Sequence, residues 1–418
     1  MVVPQLFEPS VLYQDLGFLA AAAPVPFIGS VRYLASAAPD TTLVFVGLSL
    51  ASEALAFRRA AASYEARYLV ELSLWREGKL EHRANTLERV RVATRQETRR
   101  ADESIVFQQA LRLAPGAYDL VVSVRDDETG AFSRAERAIT VPAFASVGMT
   151  EPMAAYQADG RPGRDAVPAI LLSPRATVSF GRDTLRFYVE VYGAEPGARV
   201  RIALEDSAGR EVVSGDAAAA GSADLAWAMV GFGPDVLPVG CFSVTARLDG
   251  RSGARGSTAL VTFSEQWAIT NFDDVLSLLR WFAPAQELEA IRAAAPADRP
   301  ALWRDFWAAT DPNPTTSRNE ALERYFQRVQ EANGRFGEAG EPGWLTERGE
   351  VFVVLGEPDE AFDIATDFMD TRRTIRWTYL ALQLTLDFVD DTGFGRYRLT
   401  PASRAEYERV RNRRQGHG

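Results

Sequence analysis

Short runs of apolar and β-branched residues, punctuated by turn signals, dominate the first two thirds of the chain. Thr42–Leu50 is one such run, Tyr64–Trp75 a second, and Arg89–Thr94 alternates Arg-Val-Arg-Val. Ser104–Leu113 follows, and Ala114-Pro115-Gly116 supplies a turn before Ala117–Arg125. The polar stretch Asp126-Asp127-Glu128-Thr129-Gly130 is a hairpin loop that leads into Ala131–Val141. Ala51–Ala62, rich in Ala and Arg, reads as a loop with a short strand. Strands at this spacing, without a helical period, predict an antiparallel β-sandwich over residues 1–145.

Residues 145–167, including Ala158-Asp-Gly-Arg-Pro-Gly-Arg164, lack any period and read as a surface linker. The strand pattern then resumes at Thr177–Phe180, Leu185–Tyr192, Arg199–Glu205, Ala223–Met229, Gly240–Leu248 and Ala259–Ser264. In Leu185–Tyr192 the period is two: Leu185, Phe187, Val189 and Val191 share one face, and Arg186, Tyr188, Glu190 and Tyr192 the other. That pattern predicts a sheet with one buried face, and a second sandwich over 146–266.

At Asn271, a candidate N-cap, the period changes. Val275, Leu278, Leu279 and Phe282 form a helical stripe, and Ala285–Ala294 and Asp298–Thr310 continue the helical pattern until Asp311-Pro-Asn-Pro stops it. Ser317-Arg-Asn-Glu320 has capping-box spacing and opens a helix to Asn333, with Leu322, Tyr325, Phe326 and Val329 as its apolar face. Strands are predicted at Glu350–Leu355, Thr374–Leu380, Gln383–Val389 and Tyr397–Leu399, and Thr400-Pro401 opens a last helix. The fold class is therefore mainly β and multi-domain: two antiparallel, Ig-like β-sandwich domains, then a C-terminal α+β domain over 267–418.

Composition narrows the function. The chain has 418 residues, 47% apolar and 24% charged, as in a soluble globular protein rather than a disordered one. A net charge of −10 argues against nucleic acid as a partner. The chain holds two histidines, His82 and His417, and one cysteine, Cys241, so most metal sites, Ser-His-Asp triads and disulfide frameworks lack their raw material. His82, between Glu81 and Arg83, reads as a solvated residue of a strand edge, and His417 lies in the terminal tail. No run is long and apolar enough for a transmembrane helix. No basic residue precedes the apolar stretch Leu16–Ile28, which Pro24 and Pro26 interrupt, so no secretory signal is expected.

Carboxylates are the remaining chemistry. Residues 341–391 carry Glu347, Glu350, Glu357, Asp359, Glu360, Asp363, Asp367, Asp370, Asp387, Asp390 and Asp391. Paired carboxylates could hydrolyse a glycosidic bond and oxygen-rich loops could hold calcium, but no stretch has the calcium-loop spacing. Asp387, Asp390 and Asp391 surround a strand end and turn, where Asp serves the local backbone. Gly343-Trp344-Leu345-Thr346-Glu347-Arg348-Gly349, followed by Gly356-Glu357-Pro358-Asp359, stands out. Either Trp344 plugs a small core while the glycines and Pro358 shape turns, or Trp344, Glu347, Glu357 and Asp359 line a recognition groove.

An ordered set of elements over 302–400 resembles the bacterial GWxTD-domain proteins. Its members here are Phe306-Trp307-Ala-Ala-Thr-Asp311-Pro-Asn-Pro-Thr315, Arg324-Tyr325, Ala332-Asn333-Gly-Arg-Phe336, Gly343-Trp344-Leu-Thr346-Glu347, Gly356-Glu-Pro358-Asp359, Ile375-Arg-Trp377-Thr-Tyr379 and Asp391-Thr-Gly393-Phe-Gly395. The fifth motif position is Glu347 instead of Asp, which keeps the charge and changes the reach. The resemblance implies an exported or envelope-associated bacterial protein and brings no established activity with it. Gly343, Trp344, Thr346, Glu347, Gly356, Glu357, Pro358 and Asp359 are the candidate binding residues, with no cofactor, no metal and no catalytic residue expected. The leading expectation is a non-catalytic structural or interaction protein whose partner is protein. One alternative is a carboxylate-based hydrolase acting on carbohydrate or peptide, needing two of Glu347, Glu357 and Asp387 in one cleft. Another is a carbohydrate-binding module, needing Tyr188 and Tyr192 exposed on a sandwich face.

Overall fold

The strands between Leu19 and Val141 form two antiparallel sheets packed face to face. The structure is a computed structural model and describes residues 9–95, 97–99, 104–195, 197–249, 255–263, 272–313, 319–338, 340–364 and 373–415. Two compact units result, Met1–Asn271 and Phe272–Gly418. A short helix, α1 (Pro9–Asp15), enters the first sheet, ordered Leu19–Ala21, Phe27–Ala35, Thr42–Ala51, Ser104–Leu113. The second sheet runs Arg58–Ala60, Ser63–Arg76, Gly116–Asp126, Phe132–Val141, with Lys79–Val92 paired along Ser63–Arg76 as an edge. Val44, Val46, Leu48 and Leu50 of one sheet share a core with Val70, Leu72, Leu120 and Val122 of the other. His82 sits half-exposed in the edge strand as expected, and among the described residues its buried Nε2 has no hydrogen-bond partner.

Thr42–Ala51 is buried along nearly its whole length because its outer face is covered too. Leu43 and Phe45 pack there with Met153, Ala155, Ile170 and Leu172 of the second sandwich. One sheet of that sandwich holds Met153–Asp159, Ala169–Leu172, Leu185–Tyr192 and Ala226–Phe232; the other holds Thr177–Ser179, Arg255–Thr262, Gly240–Leu248, Arg199–Glu205 and Glu211–Ala218. Pairing is antiparallel except that Thr177–Ser179 runs parallel to Arg255–Thr262.

Two expectations fail at this junction. Leu185–Tyr192 has both faces buried, leaving only Arg186 exposed. The linker at 145–167 contains the strand Met153–Asp159, and Arg161 is 6% exposed. The reason is a polar network. Arg161 Nε and Nη2 donate to Oε1 and Oε2 of Glu190, each at 2.8 Å, and neither side chain is exposed at all. Tyr188 and Tyr192 donate to the same carboxylate at 3.0 and 2.6 Å, and Arg161 also reaches the Ala35 carbonyl of the first sandwich at 2.6 Å. Satisfied in this way, four polar side chains lie inside without an unpaired charge. Both tyrosines the carbohydrate-binding reading required are therefore internal.

In the C-terminal unit, α2 (Phe272–Leu278), α3 (Ala285–Ala293), α4 (Arg299–Thr310) and α5 (Glu320–Arg335) precede α6 (Glu347–Leu355). The antiparallel sheet Glu360–Ile364, Arg373–Tyr379, Leu384–Asp390, Arg398–Leu399 follows, then α7 (Pro401–Gln415). Leu322, Tyr325, Phe326 and Val329 are the buried face of α5 as expected. Its cap, however, is Asn319, whose side chain accepts from Leu322 N–H at 3.0 Å; Ser317 lies outside the described residues, as do Asn271, Thr315, Asp367, Asp370 and His417. Thr400 caps α7, accepting from Ser403 N–H, with Pro401 at the first turn. Among the described residues no helix is long and apolar enough to cross a membrane.

The strand expected at Glu350–Leu355 is helical, as α6. Its three Val and one Phe side chains favour strands intrinsically, and burial on most sides erases a helical stripe. End signals decide it. Thr346 caps the start, its Oγ1 accepting from Gly349 N–H at 3.1 Å, and Gly356 stops it in a left-handed conformation with φ of 90°.

Candidate functional site

The glycine-tryptophan segment is a single turn of 3₁₀ helix, Gly343–Leu345, that feeds α6. Thr346 is fully buried and joins the two: its hydroxyl donates to the Gly343 carbonyl at 2.8 Å while accepting from Gly349. Both glycines are required by close approach. A methyl on Gly343 would stand 2.7 Å from the Asn333 carbonyl oxygen of α5 and 2.8 Å from Gly337 N. One on Gly349 would stand 2.8 Å from the Gly343 carbonyl carbon and 2.9 Å from Trp344 Cα. The motif thus locks the start of α6 onto the end of α5 through backbone contact that no Cβ permits.

Trp344 is a core side chain, 4% exposed. Its ring meets Trp281 edge-on at 5.6 Å, and the Arg280 guanidinium lies 4.9 Å from its centroid. Glu347, at the departing motif position, accepts from Leu399 N–H at 2.6 Å and pairs with Arg404 at 2.6 Å. It ties α6 to the last strand and to α7. Beside it the buried Glu338 receives two bonds from Arg348 at 3.1 and 3.0 Å and one from Tyr397 N–H at 3.2 Å. Sequence reasoning missed Glu338, Arg348 and Arg404, since long-range pairing has no local signature.

The second motif lies at the other end of α6. Nine residues of helix at about 1.5 Å each separate it from the first by roughly 13 Å. The Gly356 carbonyl accepts from the Tyr379 hydroxyl at 3.0 Å. Glu357 is held by both Nη atoms of Arg335, and this pairing lowers its pKa below the usual carboxylate range. Pro358 is half-buried in the turn, and Asp359 Oδ2 accepts from Leu380 N–H at 2.6 Å. Asp387 pairs with Arg376 at 2.7 Å, and Asp390 accepts from the backbone N–H groups of Thr392, Gly393 and Gly395. The structure therefore gathers Gly343, Trp344, Thr346 and Glu347 at one end of α6, and Gly356, Glu357, Pro358 and Asp359 at the other. Among the described residues no group of acidic or histidine side chains has the arrangement of a metal site.

An open cleft of about 440 Å³ lies along α5 and α6, lined by Trp281, Phe282, Tyr325, Arg324, Arg328, Arg411 and the segment Val353–Leu355. Trp281 connects it to the motif, because its indole rests on Trp344. Arg411 is paired with Glu350 at 3.1 Å, and Arg328 donates to the Val353 carbonyl at 3.4 Å. Arg324 is exposed and makes no ion pair among the described residues. The cleft is positive, with an aromatic wall.

Comparison with known proteins supplies the domain. Residues 247–413 match the GWxTD domain, so the C-terminal part of this chain carries one. The match begins inside the strand Gly240–Leu248 and spans all of α2 to α6. No curated protein matches the chain. Among solved structures, the dimeric latent PorU from Porphyromonas gingivalis is 12% identical, with a TM-score of 0.24, over 61% of this chain and 21% of that one. The fibronectin(III)-like modules of Clostridium thermocellum CbhA are 12% identical, with a TM-score of 0.15, over 56% of this chain and 94% of theirs. A Bifidobacterium dentium β-glucuronidase complexed with coumarin-3-O-glucuronide is 11% identical, with a TM-score of 0.18, over 57% of this chain and 47% of that one. Similarity at that level carries no argument about function.

Proposed function

We propose that this chain, which carries a GWxTD domain, is a non-catalytic interaction protein whose C-terminal unit receives a segment of a partner protein. The observation that supports it most is how the motif spends its chemistry. The Thr346 hydroxyl and the carboxylates of Glu347, Glu357 and Asp359 are all engaged in holding α6 between α5, the sheet and α7. A general acid needs a raised pKa and a partner carboxylate within about 5–9.5 Å. Glu357 moves the opposite way, and Glu347 lies a helix length from it. What such a scaffold presents is the cleft beside it, where Arg324 and an aromatic wall suit an acidic segment bearing an apolar side chain. Following the family resemblance, the proposed setting is the bacterial envelope.

A photoreactive side chain at Ala321, on the cleft wall, tests this in the source cell. The expected result is one discrete cross-linked protein, lost when Arg324→Glu reverses the charge. Cross-linking indifferent to that reversal would sink the cleft as the docking site. Hydrolysis of a polysaccharide or peptide by the purified chain, abolished by Glu357→Gln or Asp387→Asn, would overturn the non-catalytic reading itself.

A further inference from the structure

The N-terminal unit holds a cavity of its own, about 320 Å³, where the strands Phe27–Ala35, Phe132–Val141 and Arg255–Thr262 converge. Its lining is charged. Two guanidinium groups, Arg32 and Arg137, share it with a single carboxylate, Glu151, and with the hydroxyls of Tyr33, Ser257 and Thr258. None of the three charged groups makes an ion pair among the described residues. Among the described residues Arg32 donates only to the neighbouring Val31 carbonyl, at 3.4 Å. Among the described residues the buried Ser257 Oγ has no hydrogen-bond partner. Burial lowers the pKa of the Arg32 guanidinium; Glu151 counters that, and Arg137 adds to it. The Tyr33 phenol is pushed up by burial to about 12, so it stays a neutral donor.

Two like charges in a partly desolvated site are costly unless a counter-charge arrives, and one carboxylate leaves the cavity positive. A planar guanidinium fork matches the paired oxygens of a carboxylate or a phosphate. A volume of about 320 Å³ is at the small end of ligand pockets, at about 300–1,000 Å³. We propose that this cavity is a binding site for a small anion carrying a carboxylate or phosphate group, clamped by Arg32 and Arg137. Tyr33 and Ser257 complete its hydrogen bonding, and Glu151 takes a ligand hydroxyl.

The test uses the full chain freed of anions other than chloride, with thermal unfolding and calorimetry against citrate, inorganic phosphate and ribose 5-phosphate. Citrate alone raising Tm identifies the carboxylate source; either phosphate alone, the phosphate source. Above its Kd the effective ligand raises Tm by roughly 2–4 °C per tenfold step. Arg137→Gln abolishes that gain and, with no anion present, melts no lower than wild type, because it removes a like-charge neighbour. Ser257→Ala deletes only the unpartnered hydroxyl; it weakens affinity about tenfold and leaves the anion-free Tm unchanged. Three results would overturn the proposal. One is no saturable effect of any probe. Another is a gain that survives Arg137→Gln. The third is an Arg137→Gln chain that melts lower without anion, as loss of a purely structural cation requires.

Discussion

Replacing Gly349 with alanine sets two effects of opposite sign against each other. Gly349 lies in the first turn of α6, where helix propensity alone favours alanine by up to about 1 kcal/mol. The added methyl would stand 2.8 Å from the Gly343 carbonyl carbon and 2.9 Å from Trp344 Cα, inside the 3.0 Å that real Cβ atoms keep. Both are backbone atoms. Nor can Gly343 retreat, since it already faces the Asn333 carbonyl at a distance no Cβ tolerates. The start of α6 must therefore move away, which breaks the Thr346 cap, at about 1 kcal/mol, and disturbs the packing of Trp344, at about 2–3 kcal/mol. Net destabilisation is about 2–3 kcal/mol after the propensity gain. At 1.4 kcal/mol per tenfold, hydrogen exchange at the buried α6 amides Val351–Val353 accelerates roughly 30- to 140-fold. Gly334→Ala is the matched control, because Gly334 sits in α5 with nothing within 4 Å of an added methyl. It should slow exchange in α5. Gly349→Ala exchange equal to or slower than wild type would refute the close-approach argument.

Three further outcomes follow from named contacts. Glu190→Gln leaves the Arg161 charge buried and unpaired, so the N-terminal unit should lose about 3–5 kcal/mol in calorimetric unfolding; an unchanged transition would show the pair is not structural. At Asp390 burial pushes the carboxyl up, but donors from Thr392, Gly395 and Gly393 outweigh it and leave its pKa below the ordinary 3.8. Its contribution is thus complete above pH 3.8 and fades as pH falls through the lower folded value; amide exchange at 392–395 should show this, and Asp390→Asn should lose that protection at pH 7. Glu347→Asp shortens the tether to Leu399 and Arg404 and should cost about 1–2 kcal/mol, whereas equal stability by thermal unfolding would show that the fifth motif position needs only a charge.

Much of the element order was legible because it is local. Runs of β-branched residues bounded by Pro-Gly or Asp-rich turns became strands, and the stripe Leu322, Tyr325, Phe326 and Val329 became the buried face of α5. The tight backbone geometry around Gly343, Trp344 and Gly356 was legible too, as glycines around an indole and before a proline. Their roles were not. Glu350–Leu355 reads as a strand because its side chains favour one, and only the Thr346 cap and Gly356 stop reveal a helix.

By itself, the sequence determined which segments bury an apolar face, where the chain turns, and that carboxylates and arginines carry nearly all the ionic chemistry. Which face a residue presents could be settled only by the neighbour that covers it. Tyr188, Glu190 and Tyr192 alternate as an outward set, yet Arg161, drawn in from an apparent linker, makes them the polar heart of a junction. Likewise Arg404 pairs with Glu347, Arg335 with Glu357 and Arg376 with Asp387, partners that no local pattern marks. Periodicity reports local exposure on one element, whereas burial and charge pairing are properties of contacts between residues far apart in the chain.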